Sequence, residues 1–379
     1  MFDNLKTIFD LHNLPPVIRS VLVILLVALA SLGAVTVFHA NENDTRVISE
    51  GALKIIADEA PYELDGRAYT TFMTPPHVSF LGLPFLIFGP DWSAFWDTFF
   101  VLLVLTFNER WLQALLAKLL FMGSAAVIIL IAAANITGTV TGIGLLLLLL
   151  HVSGFGRGVA WAFLLLRPQD GWAFLLYDGL RSLWERDFLA PLVTLSILLV
   201  PLVFSLDIYR EWLGAMYFPL FVDTPVGYSL SLRATAGLPI AFLFYAVVVG
   251  IRSVVITPGF KLRWRSPTQM SEAERFWLLG VAALMLGTYT AYYQLWLVLI
   301  IVRDYKAGRT LLLLAIWTVV GFSTMVVISP ERFQVGLIIL ILITALISPR
   351  SQPPQTDEVT QPDEGAYPQI SPKTATTGR

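Results

Sequence analysis

The sequence predicts an all-α membrane protein with many transmembrane helices. Of its 379 residues, 56% are hydrophobic and 14% are charged, whereas charged residues make up about a quarter of a typical soluble domain. Several apolar runs approach the roughly 20 residues that a helix needs to cross a bilayer, and in lipid such runs satisfy their backbone hydrogen bonds as helices. These runs are Val17–Phe38, Phe188–Leu206, Leu311–Ile328 and Val335–Ile347. We expect about 10 to 12 membrane segments, several of them short or broken.

Composition also argues against several other classes of protein. The net charge of -2 gives no basic surface for nucleic acid. The chain has no cysteine and four histidines, none of them at zinc-binding spacing. It has no glycine-rich phosphate loop that would bind a nucleotide. We therefore expect no metal or other cofactor, and we interpret the first apolar run as a retained helix rather than a signal peptide.

Lysine and arginine predict the orientation, because short cytoplasmic loops are enriched in both. Three basic stretches are the best cytoplasmic candidates, namely Arg181–Asp187, Arg252–Arg275 and Arg303–Arg309. Counting crossings from these stretches makes the N-terminus cytoplasmic. Residues 1–348 then form one membrane domain. Residues 349–379 are rich in Pro, Thr, Gln and Asp, and we expect a disordered cytoplasmic tail there.

Two apolar stretches are predicted to be helical hairpins. Phe276–Val302 has a basic stretch at each end, so we expect two short helices that meet at Thr288–Gln294 on the outer side. The sequence Arg167-Pro-Gln-Asp170 interrupts another stretch in the same way, since proline disfavours helix continuation.

The number of membrane crossings places the N-terminus in the cytoplasm only if His77–Phe107 crosses the membrane once in total. This stretch is interrupted at Gly89-Pro-Asp91. Asn135–Thr139, Asp207–Arg233 and residues 40–76 are then extracytoplasmic.

The loop at residues 40–76 holds the main catalytic candidate. Apolar and charged residues alternate through Val47–Ala60 in a way that favours a short amphipathic helix on the membrane surface. Asp44 lies at the N-terminal edge of this helix. It suits the role of an N-cap, and this role is compatible with a functional one.

Short motifs along the chain resemble a known enzyme class. The first loop carries Asp44-Thr-Arg-Val47, Ala60-Pro-Tyr62 and Pro75-Pro76. Ala134–Gly138, Leu164–Gln169 and Thr288–Gln294 follow later. Together they resemble the polyprenol-phosphate-sugar-dependent glycosyltransferases of the GT-C class, especially the family 87 mannosyltransferases. The chain departs from that pattern in lacking an aromatic residue after Val47, a glycine at position 60 and a histidine in the late turn.

The resemblance implies a GT-C fold and the transfer of a sugar, mannose or a related hexose or pentose, from a polyprenyl phosphate to a lipid or glycan acceptor. Transfer would occur at the outer face with inversion. Asp44 would act as general base, with Glu42 in reserve. Arg167 would bind the donor phosphate, with Arg233 and Arg210 as secondary candidates. The plainer interpretation of Arg167 is that it pairs with Asp170 or reaches lipid headgroups.

Further polar residues near the outer face are expected to line the substrate site: His77, Asn135, Gln169, Tyr292, Tyr293 and Gln294. For His77, a structural place at the start of a helix is the alternative.

Two other classes of function remain open. A transporter or flippase for lipid-linked or anionic solutes also uses broken helices with polar turns, and a non-catalytic membrane subunit would tolerate replacement of Asp44 and Arg167. We expect a multi-pass protein of a bacterial plasma membrane, in contact with membrane lipids.

Overall fold

The computed structural model describes most of the helical part of the chain. The described residues are 10–37, 50–51, 53–57, 59, 76–85, 88–107, 109–120, 136–204, 206–221, 231–257, 261–287, 292–306, 308–313, 315–317 and 330–349. These residues are mostly helical. The predicted tail, apart from residue 349, lies outside them.

The helices are numbered in chain order. They are α1 (Pro16–Val37), α2 (Pro76–Gly82), α3 (Pro90–Thr106), α4 (Leu112–Leu119), α5 (Thr137–Leu149), α6 (Phe155–Leu166), α7 (Pro168–Glu185), α8 (Leu189–Leu199), α9 (Ile208–Phe221), α10 (Leu232–Ala236), α11 (Leu238–Ser253), α12 (Glu272–Leu286) and α13 (Pro330–Ile347). A long 3-10 helix spans Tyr292–Asp304, and shorter ones span Leu11–Asn13, Leu83–Phe85, Val200–Val203 and Pro267–Gln269.

One described helix, α1, is long and apolar enough to cross a membrane. A bent pair, Leu189–Val203 with Ile208–Gly214, passes the same test if its 96° bend lies within a single span. Other apolar helices, such as α5, α6 and α11, have 10 to 17 residues and are shorter than a full bilayer crossing of about 20. The described residues therefore contain one or two candidate membrane spans, and the larger number of membrane segments stays a prediction.

The predicted basic stretches meet at one end of the helix bundle, here called the charged end. Arg157 donates to Asp187 at 2.9 Å and to Glu185 at 2.6 Å. Lys118 pairs with Glu109 and donates to the Arg303 carbonyl at 3.2 Å. Asp187 also accepts a hydrogen bond from the Gly154 backbone nitrogen at 2.8 Å, His151 lies 3.3 Å from Glu272, and Ser271 donates to Asp304. These contacts connect the three basic stretches, so all three lie at the same end.

A buried network at the charged end fixes where α11 and α13 end and where α12 begins. Glu274 accepts hydrogen bonds from Arg252 and, at 2.6 Å, from Arg265. Arg252 also donates to the Ser348 carbonyl at 3.0 Å, where α13 ends. Glu274 itself completes a capping box with Ser271 that starts α12. Buried charges are tolerated here because each has a partner of opposite sign.

Both predicted hairpins are present. Helix α6 runs from the charged end to Arg167, directly before Pro168, and α7 runs back to the charged end. Helix α12 and the 3-10 helix form the second hairpin, whose two bases are linked by a hydrogen bond from Ser271 to Asp304. The turn of the second hairpin at residues 288–291 lies outside the described residues. Arg167 and Gln294, which lie beside the two turns and are here called the hairpin tips, are at the opposite end of the bundle, here called the far end.

The region from His77 to Phe107 contains one long described helix, α3, of 17 residues. The single membrane crossing expected there stays a prediction. Helix α2 is short, and α3 starts at Pro90 with proline in its first turn. Its last turn lies at the charged end, where the Val104 carbonyl accepts a hydrogen bond from Arg303.

Two glycines allow α5 to approach α3 closely. A Cβ atom at Gly138 would lie 2.7 Å from the Asp97 carbonyl oxygen, and one at Gly142 would lie 2.8 Å from Phe100 Cβ. Their spacing is the small-xxx-small pattern of membrane helix pairs. This contact sets the position of Asp97 against the start of α5.

The prediction of an all-α protein needs one correction. Strands β1 (Val254–Thr257) and β2 (Lys261–Trp264) form a two-stranded antiparallel sheet at the charged end. Branched residues in β1 favour a strand once α11 has ended, and Arg265 just beyond β2 donates from its backbone to the Ser253 carbonyl at 2.7 Å.

Residues 50, 51 and 53–56 are helical, within the predicted amphipathic helix of the first loop. Ile55 is buried in a small apolar cluster with Ile136, Val140, Leu166 and Ile208, whereas Leu53 and Ile56 are exposed. Since Leu166 precedes Arg167, this short helix lies at the far end.

Candidate functional site

Polar side chains gather inside the far end of the bundle, beginning with Asp97. This aspartate is fully buried within α3. Its Oδ1 accepts hydrogen bonds from the Thr139 backbone nitrogen at 2.7 Å and from the Thr139 hydroxyl at 2.5 Å. The carboxylate thereby caps the first turn of α5 from a neighbouring helix, where the helix dipole favours negative charge.

The tips of the two hairpins meet beside this first carboxylate. Asp170, buried in the first turn of α7, accepts a hydrogen bond from the amide of Gln294, which is also buried. Arg167 lies at the junction of α6 and α7 and is half-buried. Its charge interacts with both Asp97 and Asp170. The plainer interpretation of Arg167, pairing with Asp170, therefore agrees with the structure.

The charges of this cluster nearly cancel. Within the described residues it holds two carboxylates and one guanidinium. The Oδ2 atoms of Asp97 and Asp170 have no hydrogen-bond partner there. The N-termini of α5 and α7 lie beside these groups, and each contributes about half a positive charge. The helix ends and Arg167 together approximately balance the two carboxylates, so the cluster is close to neutral if both are ionised.

His77 forms a second polar contact at the far end. It is buried at the start of α2, with Nδ1 3.3 Å from the Tyr209 hydroxyl. The same hydroxyl donates to the Leu198 carbonyl at the end of α8. These contacts join α2, α8 and α9, and they agree with a structural place for His77 at a helix start.

Apart from Arg167 and His77, the predicted site residues fall into three groups. Gln294 lies in the cluster beside Asp170, and Gln169 is half-buried directly before it. Arg210 and Arg233 are exposed, and Arg233 donates to the Leu286 carbonyl at 3.4 Å. Asp44, Glu42 and Asn135 lie outside the described residues, as do the side chains of Tyr292 and Tyr293.

Asp97 is the residue of this cluster that the sequence reasoning missed. The available signal was an aspartate within the apolar stretch of α3, since ionisable residues inside such stretches are costly and commonly functional.

Comparison with protein-family models, with curated proteins and with solved structures gave no match. The resemblance to GT-C glycosyltransferases therefore stays a prediction from the motifs.

Proposed function

We propose that this chain is a multi-pass membrane glycosyltransferase that moves a sugar from a polyprenyl phosphate to a lipid or glycan acceptor. In this proposal the charged end faces the cytoplasm, since basic residues favour that side, and the far end faces outward. The bacterial plasma membrane is the proposed location.

One observation carries the proposal: the tip of the broken α6–α7 helix and the helix of the first loop share the far end. Ile55 in that loop packs in one cluster with Leu166, the residue before Arg167. Residues 53–57 of that loop therefore lie at the end of the bundle that presents Arg167. This position of the loop helix supports the proposal that Asp44, six residues before residue 50, acts as a base close to Arg167.

The proposed reaction is a single displacement. The acceptor hydroxyl oxygen attacks the anomeric carbon and transfers its proton to the Asp44 carboxylate. The bond between the anomeric carbon and the phosphate oxygen breaks, and the polyprenyl phosphate leaves with the electron pair. Arg167 stabilises the negative charge that grows on this phosphate. Inversion follows from attack on the face opposite the leaving group.

Asp97 and Asp170 act as positioning residues in this scheme. The Arg167 guanidinium interacts with both buried carboxylates, and Thr139 and Gln294 in turn hold those carboxylates by hydrogen bonds. The near-neutral cluster also lowers the cost of placing Arg167 in an apolar bundle.

Turnover by the purified protein tests the proposal. Polyprenyl-phosphate mannose and a panel of acceptors would be supplied to wild type, Asp44→Asn, Arg167→Ala and the control Arg186→Ala, which removes an exposed arginine at the charged end. We expect the control to keep full activity. Loss of one positioned catalytic group costs about 10²-fold or more, so both other variants should lose turnover while their melting temperatures show that they fold. Full activity in Asp44→Asn would remove the base assignment.

A transporter for lipid-linked or anionic solutes is a second candidate, favoured by one specific observation. Two re-entrant hairpins meet through Asp170 and Gln294, and broken helices that meet through polar groups also form transport sites. Uptake of a polyprenyl-phosphate sugar into proteoliposomes without any product would favour this candidate over the transferase.

A further inference from the structure

A large cavity opens at the charged end, away from the proposed transferase site. Its volume is about 720 Å³, within the roughly 300–1,000 Å³ range of small-molecule sites. It lies between α3, α4, the start of α12 and the end of the long 3-10 helix. The apolar part of its lining, here called the apolar wall, includes Leu105, Phe107 and Trp111.

Four cationic and three acidic residues line the same cavity. Each acidic residue has a partner. Glu109 pairs with Lys118, Asp304 accepts a hydrogen bond from Ser271, and Glu272 lies 3.3 Å from His151.

Two of the cationic side chains remain available to a ligand. Lys118 is 1% exposed and is neutralised by Glu109, while Arg303 donates to the Val104 carbonyl. Arg110 and Lys306 are both exposed. Neither has an ion pair within the described residues, so their charges can face an incoming anion.

The apolar wall decides between a soluble anion and a lipid. A free phosphate would contact only Arg110 and Lys306 and would leave the apolar wall exposed to water. A phospholipid would place its phosphate at these two cations and its acyl chain against Trp111, which is 49% exposed. Tryptophan favours this boundary between headgroups and acyl chains. A cavity lined by two available cations and by apolar residues is therefore suited to an anionic amphiphile.

We propose that this cavity binds an anionic phospholipid of the leaflet at the charged end, through its phosphate at Arg110 and Lys306. This proposal rests on the membrane placement in the proposed function, but not on glycosyl transfer. Two cations at headgroup level give a preference for anionic lipid on the order of tenfold or more.

Quenching of tryptophan fluorescence by brominated acyl chains tests the proposal at this site. The protein would be reconstituted with brominated phosphatidylglycerol or brominated phosphatidylcholine. The fluorescence of Trp111 is obtained by subtracting the spectrum of Trp111→Phe from that of wild type. This subtraction removes the contribution of the other tryptophans. We expect this difference signal to be quenched more strongly by phosphatidylglycerol, and less so at high salt because the contact is electrostatic.

Variants and a soluble anion supply the controls. Arg110→Gln combined with Lys306→Gln should abolish the preference while retaining Trp111, and Arg186→Gln should leave it intact. Equal quenching by the two lipids in wild type would overturn the proposal. An effect of inorganic phosphate on Trp111 in zwitterionic lipid, beyond that of chloride at equal ionic strength, would overturn it in favour of a soluble ligand. Inactivity in the transferase assay bears on the proposed function alone.

Discussion

Gly171 controls how closely α7 can approach α6 next to Arg167. A Cβ atom there would lie 2.9 Å from Leu164 Cβ and 3.0 Å from the Leu164 carbonyl carbon, with the carbonyl oxygen closer still. Ordinary contacts begin at 3.4 Å. Gly171→Ala must therefore push the two helices apart, because a backbone atom cannot rotate away. Gly179 lies in the same helix and has no atom within 4 Å of such a Cβ, which makes Gly179→Ala a matched control.

The magnitude follows from two opposing effects. Alanine gains about 1 kcal/mol over glycine in a helix interior at both positions, whereas overpacking costs about 1–3 kcal/mol at Gly171 alone. The helix gain cancels when the two variants are compared. Gly171→Ala should therefore be less stable than Gly179→Ala by about 1–3 kcal/mol.

Unfolding of both variants in one detergent, followed by circular dichroism, measures this difference. We expect Gly179→Ala to match or exceed the stability of wild type and Gly171→Ala to fall below Gly179→Ala. The hairpin shift should also move Arg167 and reduce sugar transfer. Equal stability of the two alanine variants would refute the close approach of α6 and α7.

Three further predictions concern buried charges. Glu274→Gln leaves Arg252 and Arg265 without their shared carboxylate, so we expect a loss of about 3–5 kcal/mol in the free energy of unfolding; a loss below 1 kcal/mol would show that this network is not needed. Glu274 lies in the first turn of α12, at the charged end. Burial favours its neutral form, but the hydrogen bond from Arg265 and the charge of Arg252 outweigh burial and lower its pKa below the ordinary 4.5. Its stabilisation is therefore complete above pH 4.5 and is lost as the pH falls through the lowered pKa; thermal melts from pH 7 to pH 3 should show a steeper acid loss in wild type than in Glu274→Gln, and parallel curves would contradict this. Asp97→Ala removes the acceptor of both Thr139 hydrogen bonds, so the free energy of unfolding should fall by about 1–3 kcal/mol and sugar transfer should weaken. Unchanged stability and turnover would show that Asp97 does not position the site.

The hairpins could be predicted because charge and proline leave local marks in the sequence. Basic residues on both sides of Phe276–Val302 exclude one straight crossing, and Pro168 breaks the other stretch. The common end of the basic stretches followed from the same charge rule. Residues 53–57 of the first loop lie at the far end, and the extracytoplasmic position of residues 40–76 stays a prediction.

The remaining features depend on packing between distant segments. Asp97 acquires its partners only when α3 lies against the start of α5, 42 residues later in the chain. The approach that allows this requires Gly138 and Gly142. The β1–β2 sheet and the 3-10 form of Tyr292–Asp304 were also missed. Short apolar runs are compatible with several backbone conformations, and tertiary contacts select one of them.

Cysteine labelling tests the central claim, that the charged end and the far end face opposite sides of a membrane. The chain has no cysteine of its own, so single cysteines can replace Arg233 at the far end and Gly308 at the charged end, both exposed. The account predicts that a membrane-impermeant maleimide labels position 233 in intact cells and position 308 only after permeabilisation. Labelling of both positions in intact cells, or the reverse pattern, would contradict it.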